Sequence, residues 1–173
     1  IVQPLDQPSN SALYVQGPVL GAQTGASISA GYVGEKVTWA SAPTNQTTTT
    51  SEADWTNASV SLNPGVYLLM ASINAQPVAA AGSGNDVECH IRITDSSNAI
   101  LNEMDKFVRI QNSGTGQTAS SHVMSFMTTV NVTAASTIYK IRVYHQNNSG
   151  ASNSCTIYNT STARSQFFAV RLN

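Results

Sequence analysis

The sequence predicts one antiparallel β-sandwich of the jelly-roll type over residues 30–173. Three observations carry that reading. Apolar residues recur at every second position in many short segments, and no segment sustains a helical spacing. Gly, Pro, Asn and Ser clusters separate these segments at short intervals, which marks roughly seven to nine strands. One segment, VYLLMASINA from Val66, is apolar on both faces, as expected of a strand covered on both sides. An immunoglobulin-type sandwich fits less well, because it places a Trp between its two cysteines and here both Trp39 and Trp55 precede Cys89.

Residues 1–29 are rich in Pro, Gln, Ser and Gly and read as an extended linker or a connection to an upstream shaft. Within them Ala12–Val15 is apolar enough to pair at a sheet edge. IVQPLDQPSN lacks the basic and apolar regions of a secretory signal, and Ile1 in place of Met suggests a piece of a longer chain. GEKVTWAS opens the domain, with Val37 and Trp39 on one face. The Thr-rich stretch Pro43–Glu52 reads as a loop, and WTNASVSL as the next strand, ended by the Asn63-Pro64-Gly65 turn. VECHIRITD alternates, with Val87, Cys89, Ile91 and Ile93 inward and Glu88, His90, Arg92 and Thr94 outward. Ser96–Asn98 turns the chain into AILNEMDKFVRI, and NSGTGQT reads as a flexible loop. HVMSFMTTVNV sets Met124, Phe126, Val130 and Val132 on one face, and IYKIRVYHQ does the same for Tyr139, Ile141 and Val143. Asn147–Asn153 reads as a loop, CTIYNTSTA as a short strand, and QFFAVRL as a last strand with Phe168, Val170 and Leu172 inward.

Charged residues make up 10% of the chain, against about 25% in an average globular protein. Ser, Thr, Asn, Gln and Ala take their place, as suits a β-rich protein acting outside a cell or on a particle. A formal net charge of -1 provides no field for nucleic acid or for an anionic membrane surface. No apolar run approaches the length of a membrane-spanning helix, so neither nucleic acid nor membrane insertion is expected. Two cysteines, Cys89 and Cys155, lie in strand-like segments. Two small buried thiols are the favoured reading, and a disulfide is the alternative where the compartment is oxidising.

Three stretches resemble a recurrent C-terminal module of phage tail-fibre and spike proteins: AGYVGEKVTWASA, WTNASVSLNPGVYLLMASI and the closing QFFAVRLN. TIYKIRVYHQ matches a late strand of the same module. Such modules are similar in architecture to trimeric jelly rolls of the tumour-necrosis-factor (TNF) and C1q type. The insertion Pro43–Glu52 and the charged segment ILNEMDKFVRI depart from the pattern. The resemblance implies a homotrimer at the virion surface that attaches the particle to a host-cell receptor, a glycan or a protein. A structural trimerisation or capsid-decoration domain without a ligand, and a secreted C1q-like or lectin-like binding protein, are the alternatives. In AGYVGEK, Gly31 and Gly34 read as bends where the chain passes into the sheet.

The doubly apolar strand supports self-association independently. The row Tyr67, Leu69, Ile73 is expected to pack against neighbouring subunits, together with Phe168, because a bare apolar row of that size calls for a partner. Coverage by residues 1–29 within a monomer is the competing account.

Catalytic chemistry finds no footing. His90, His122 and His145 fall in separate segments with no zinc-ligand spacing. No nucleophile elbow or phosphate-cradling Gly loop is present. The acids Glu52, Asp54, Asp86, Glu88, Asp95, Glu103 and Asp105 read as solvated charges rather than as a glycosidase pair. The Asp86 and Asp95 loops are oxygen-rich enough for calcium but lack an EF-hand order. A non-enzyme with no metal and no cofactor is expected. Receptor contacts are expected from Trp55, Tyr144, His145, Asn147, Asn148, Tyr158 and Arg164, whose rings, amides and guanidinium suit saccharide or protein recognition.

Overall fold

The computed structural model describes residues 31–149 and 152–173. The expected linker 1–29, with Ala12–Val15, lies outside the described residues. Among those described there are eleven strands and no helix: β1 (Lys36–Thr38), β2 (Gln46–Thr47), β3 (Ala53–Leu62), β4 (Gly65–Ala79), β5 (Asp86–Asp95), β6 (Ile100–Gln111), β7 (Thr118–Ala119), β8 (His122–Val132), β9 (Thr137–Ser149), β10 (Ser154–Tyr158) and β11 (Gln166–Arg171).

The pairing is nested. β1 pairs with β11, β3 with β9, β4 with β8 and β5 with β6, all antiparallel. A long hairpin wound over itself into two sheets gives this order, and it is the mark of a jelly roll. The four-stranded sheet runs β3-β9-β5-β6. In the seven-stranded sheet β4 is central, with β11 and β10 along one edge and β8 and β7 along the other. The short strand β2 extends this sheet beyond β10.

Alternation decides what lies between the sheets. Val87, Cys89, Ile91 and Ile93 of β5 meet Tyr139, Ile141 and Val143 of β9 in the core, as their period predicts. From the other sheet come Tyr67, Leu69, Ala71 and Ile73 of β4 and Met124 and Phe126 of β8. Each fully buried Ile or Leu contributes roughly 1.5–3 kcal/mol by leaving water. The inward residues of β11 are Phe167 and Ala169. The expected inward set Phe168, Val170 and Leu172 is therefore out by one residue. Leu172 lies beyond the strand and is exposed, and Phe168 and Val170 point outward opposite Met70 and Leu68.

Cys89 of β5 and Cys155 of β10 form a disulfide across the core, with Cα atoms 5.7 Å apart. The favoured reading of two free thiols is corrected here. Each residue looked like a buried apolar residue in its own strand, and only the stacking of the sheets brings the two together.

The opening motif is structural. Gly34 adopts φ 88° and its N–H donates to the Arg171 carbonyl at 2.8 Å, while Arg171 N–H donates to the Glu35 carbonyl at 2.9 Å. At the same end of β11, the Arg171 guanidinium donates to Tyr67 Oη at 2.9 Å and to the Pro64 carbonyl at 2.7 Å. Gly65 adopts φ 154°, a conformation that L side chains rarely take, so the turn favours glycine, and its bare Cα leaves room for the Arg171 guanidinium.

Loops expected to be free are pinned at their bases. Asn112, at the head of NSGTGQT, is buried; its amide donates to the Ala80 carbonyl at 2.7 Å and its Oδ1 accepts from Gly114 N–H. Asn153 accepts from Ala80 N–H at 2.8 Å and donates to the Asp86 and Ser149 carbonyls. Strand β9 reaches Ser149, inside the stretch expected to be a loop.

Candidate functional site

The seven residues expected to touch a receptor do not form one cluster. Trp55 is core: it is 2% exposed, and its indole N–H donates to the Thr44 carbonyl at 2.8 Å. His145 is also interior, with Nδ1 2.9 Å from the Thr48 hydroxyl. Tyr144 stands on the outer face of the four-stranded sheet. Tyr158 stands on the outer face of the other sheet, with its hydroxyl donating to Gln76 at 2.9 Å. Asn147 and Asn148 are exposed near the end of β9, and Asn148 donates to Glu88 at 2.8 Å. Arg164 is exposed on the β10–β11 connection. Six of the seven lie in strands and only Arg164 in a connection; Asn147 and Asn148 do so because β9 runs on through Ser149, past the point where the turn signals begin.

The outer face of the four-stranded sheet is a ladder of ion pairs. Arg92 bridges Glu52 and Asp105, each at 2.8 Å. Arg142 reaches Glu52 at 2.8 Å and Asp54 at 3.0 Å, and Lys140 reaches Asp54 at 2.9 Å. Arg109 pairs with Asp86. Between these pairs, Phe107, His90 and Tyr144 lie side by side in register on β6, β5 and β9. The His90 ring is stacked 5.1 Å from Phe107 and 4.4 Å from Tyr144. Arg92 covers the Tyr144 ring at 4.8 Å. These charges already have partners, so a ligand would have to displace them. The face is a solvated, cross-strand-paired surface.

The loop acids considered for calcium are likewise engaged. Asp86 pairs with Arg109. Asp95 accepts from the Ser97 hydroxyl and from the N–H groups of Ser97 and Ala99, and those hydrogen bonds hold its carboxyl below its usual pKa. Among the described residues no group of three or more His, Cys, Asp or Glu is placed to hold a metal ion.

The outer face of the seven-stranded sheet has a different character. Leu68 and Met70 of β4, Phe168 and Val170 of β11, and Val123 and Met127 of β8 point outward. Met127 is 63% exposed and Val123 59%. Lys36, whose Nζ lies 4.2 Å above the Phe168 ring, is the sole charge on the outward rows of β1, β11, β4 and β8. A groove of about 550 Å³ lined by Met70, Met127, Phe168, Met104 and Lys106 runs off this face at the β8 margin. The row expected to meet neighbouring subunits is not on this face. Tyr67, Leu69 and Ile73 are 1%, 0% and 0% exposed within the single chain. They cannot meet a neighbour; the outward row of the same strand is the alternate one, with Leu68 and Met70. Phe168 remains on the outward face.

A third feature was missed at the sequence level. Trp39, read only as an inward partner of Val37, is half-buried at the end of β1 and stands edge-on to Trp55, with ring centroids 6.2 Å apart. It borders a cavity of about 460 Å³ that also takes in Asn159, Thr160, Ser161, Arg164 and Gln166. Val-Thr-Trp gave the strand, but the cavity depends on a connection more than a hundred residues downstream.

His145 gives the fold an acid-sensitive point. Burial lowers its pKa below the ordinary value, against an opposing backbone hydrogen bond at Thr48. The unfolded chain then binds a proton at His145 in a range where the folded chain does not. Stability from this residue is complete above about pH 6.5 and is lost as pH falls toward the lowered folded value. The expected slope in that window is at most about 1.4 kcal/mol per pH unit. Urea midpoints measured from pH 7.5 to 5 should fall more steeply for the native chain than for His145→Gln. Parallel curves would refute the assignment.

No protein-family profile matches the chain, and no curated protein sequence matches it. Among solved structures, Eiger TNF from S. frugiperda aligns at 13% identity over 70% of this chain and 69% of that one, with a TM-score of 0.33. The VP2 subviral particle of infectious bursal disease virus aligns at 11% identity over 90% of this chain, with a TM-score of 0.35. The same virus, Gt strain, aligns at 10% identity over 80% of this chain, with a TM-score of 0.34. The chain spans 42% and 37% of the length of those two viral chains.

Proposed function

We propose that this chain is the tip domain of a viral, specifically phage, fibre or spike, which forms a homotrimer and attaches the particle to a glycan on the host-cell surface. The contrast between the two outer faces carries this reading. One face is covered with matched charges and is built for water. The other carries Leu68, Met70, Val123, Met127, Phe168 and Val170 with hydroxyls and amides between them, and no carboxylate. Depletion of charge with enrichment of Met and Phe is the composition of a subunit interface core. A flat apolar face that is the same on every copy is closed by cyclic symmetry.

Light scattering after size exclusion is expected to give three chains per particle. Introducing Met127→Glu with Phe168→Glu should yield monomers with unchanged circular dichroism, because an unpaired buried carboxylate raises the dissociation constant by at least about a hundredfold. The trimer is expected to compete with particle adsorption to host cells. A monomeric native chain at micromolar concentration, or a trimer without competition, would sink the reading.

A secreted C1q-like or lectin-like binding protein is the second reading. The Cys89–Cys155 disulfide favours it, since such bonds persist in oxidising compartments.

A further inference from the structure

We propose that the groove between Trp39 and the β10–β11 connection is a binding site for an acidic saccharide, a pyranose bearing a carboxylate. The inference rests on the attachment reading above for its biological role and on the groove itself for its chemistry.

The groove is held rigid from below. Trp55 is fixed by its hydrogen bond to the Thr44 carbonyl, and Trp39 stands against it at an interplanar angle of 76°. The indole of Trp39 is thus fixed in orientation yet half open. The opposite wall is equally braced. The Asn159 amide donates to the Pro43 carbonyl at 2.8 Å, and Asn159 N–H donates to the Asn45 side chain at 2.9 Å. Ser165 donates its hydroxyl to the Tyr158 carbonyl, and the Arg164 carbonyl accepts from the Asn74 amide. Ala163 N–H closes the turn on the Thr160 hydroxyl at 2.9 Å.

This bracing consumes the backbone and leaves two side-chain heads unused. Arg92, Arg109 and Arg142 each meet a carboxylate, and Arg171 meets Tyr67 and Pro64. The guanidinium of Arg164 has no partner among the described residues, and neither has the amide of Gln166. A smaller cavity of about 200 Å³ shares Trp39 and Gln166 and adds Lys36. No Asp or Glu lines either cavity. In a chain of net charge -1, that makes a locally cationic groove with an aromatic wall.

Each part selects. The face of Trp39 suits the apolar C–H face of a pyranose. The planar fork of Arg164 suits a carboxylate held by two parallel hydrogen bonds. Gln166 and the Ser161 hydroxyl offer donors and acceptors to ring hydroxyls. A neutral sugar would leave Arg164 unmatched, and a small inorganic anion would leave Trp39 unused. The larger cavity falls within the usual range of small-ligand sites, about 300–1,000 Å³.

The test uses the full chain with tetragalacturonate and sialyllactose as probes. Lactose and the methyl ester of tetragalacturonate serve as uncharged counterparts. Calorimetry and tryptophan emission should show at least one acidic probe bound about tenfold or more tightly than its uncharged counterpart. Arg164→Gln should remove that difference, and Trp39→Phe should weaken both forms, while Ser113→Ala, exposed on the β6–β7 connection, changes nothing. Equal binding of acid and ester, no binding of either acidic probe, or undiminished binding by Arg164→Gln would overturn the proposal. So would selective binding of oligoglutamate, which would mark a peptide site. Failure of the attachment reading is seen separately. Acidic-saccharide binding without competition for particle adsorption defeats attachment and leaves the groove assignment standing. Competition that survives Arg164→Gln leaves attachment standing and removes the groove from it.

Discussion

Loss of the Cys89–Cys155 bond is expected to cost the domain about 4 kcal/mol, the largest effect of any change to one pair of side chains. The bond closes a segment with a sequence separation of 66. In the chain-entropy account a closure of that length restricts the unfolded ensemble by roughly 4 kcal/mol. It also joins the two sheets directly, since Cys89 belongs to β5 and Cys155 to β10. Both side chains are fully buried, so replacement by Ala leaves little new polar surface. Urea midpoints of Cys89→Ala/Cys155→Ala should fall well below that of the native chain. The native chain in dithiothreitol should approach the variant. Two thiols titrating in the denatured, unreduced chain, with no shift in midpoint, would mean the bond is not formed.

Trp55→Ala is expected to cost about 3–5 kcal/mol, the range for emptying a buried aromatic site. The indole is 2% exposed within the core cluster. Truncation also strands the Thr44 carbonyl without its donor and removes the ring on which Trp39 rests. Trp55→Phe keeps most of the apolar volume and should lose much less, roughly 1–2 kcal/mol. Thermal unfolding of the two variants separates cavity from hydrogen bond. A surface residue that touched a ligand would behave otherwise, leaving stability within about 0.5 kcal/mol of the native value. That result would return Trp55 to the binding surface and take it out of the core.

Strand identity was legible in the sequence wherever one face was polar. HVMSFMTTVNV and IYKIRVYHQ point as their alternation says, and so does the apolar row of VECHIRITD, although His90 and Thr94 of its polar row are buried as well. VYLLMASINA was legible as a strand but not in its orientation, because both of its rows are apolar and period two cannot choose between them. Its neighbours choose. Ala71 lies opposite Phe126 and Ile73 opposite Met124, so the Tyr67 row follows the buried row of β8. In QFFAVRL adjacent phenylalanines leave the same ambiguity, and Ala169, small and buried, gave no signal of which row faces in. Expected site residues were misplaced for a related reason. Rings near the end of an expected strand look available to a ligand, yet Trp55 and His145 fall on the inward rows of β3 and β9 and are buried. Trp39 was missed because a half-buried ring reads as core until the chain that walls its other side is in view.

Nested pairing also constrains the order in which the chain can assemble. The β5–β6 hairpin closes across a short turn held by Asp95, whereas β1·β11 brings Lys36 to Val170. Closing distant ends costs more than closing near ones, and chains dominated by such distant contacts fold in milliseconds to seconds. The innermost hairpin is the natural nucleus, and the outermost pair closes last. β4 feels this most, because its two long edges belong to β8 and to β10 and β11, all made after it. During synthesis the longest strand therefore waits without its β8 partner until Val132 has emerged, and without its β11 partner until Arg171 has.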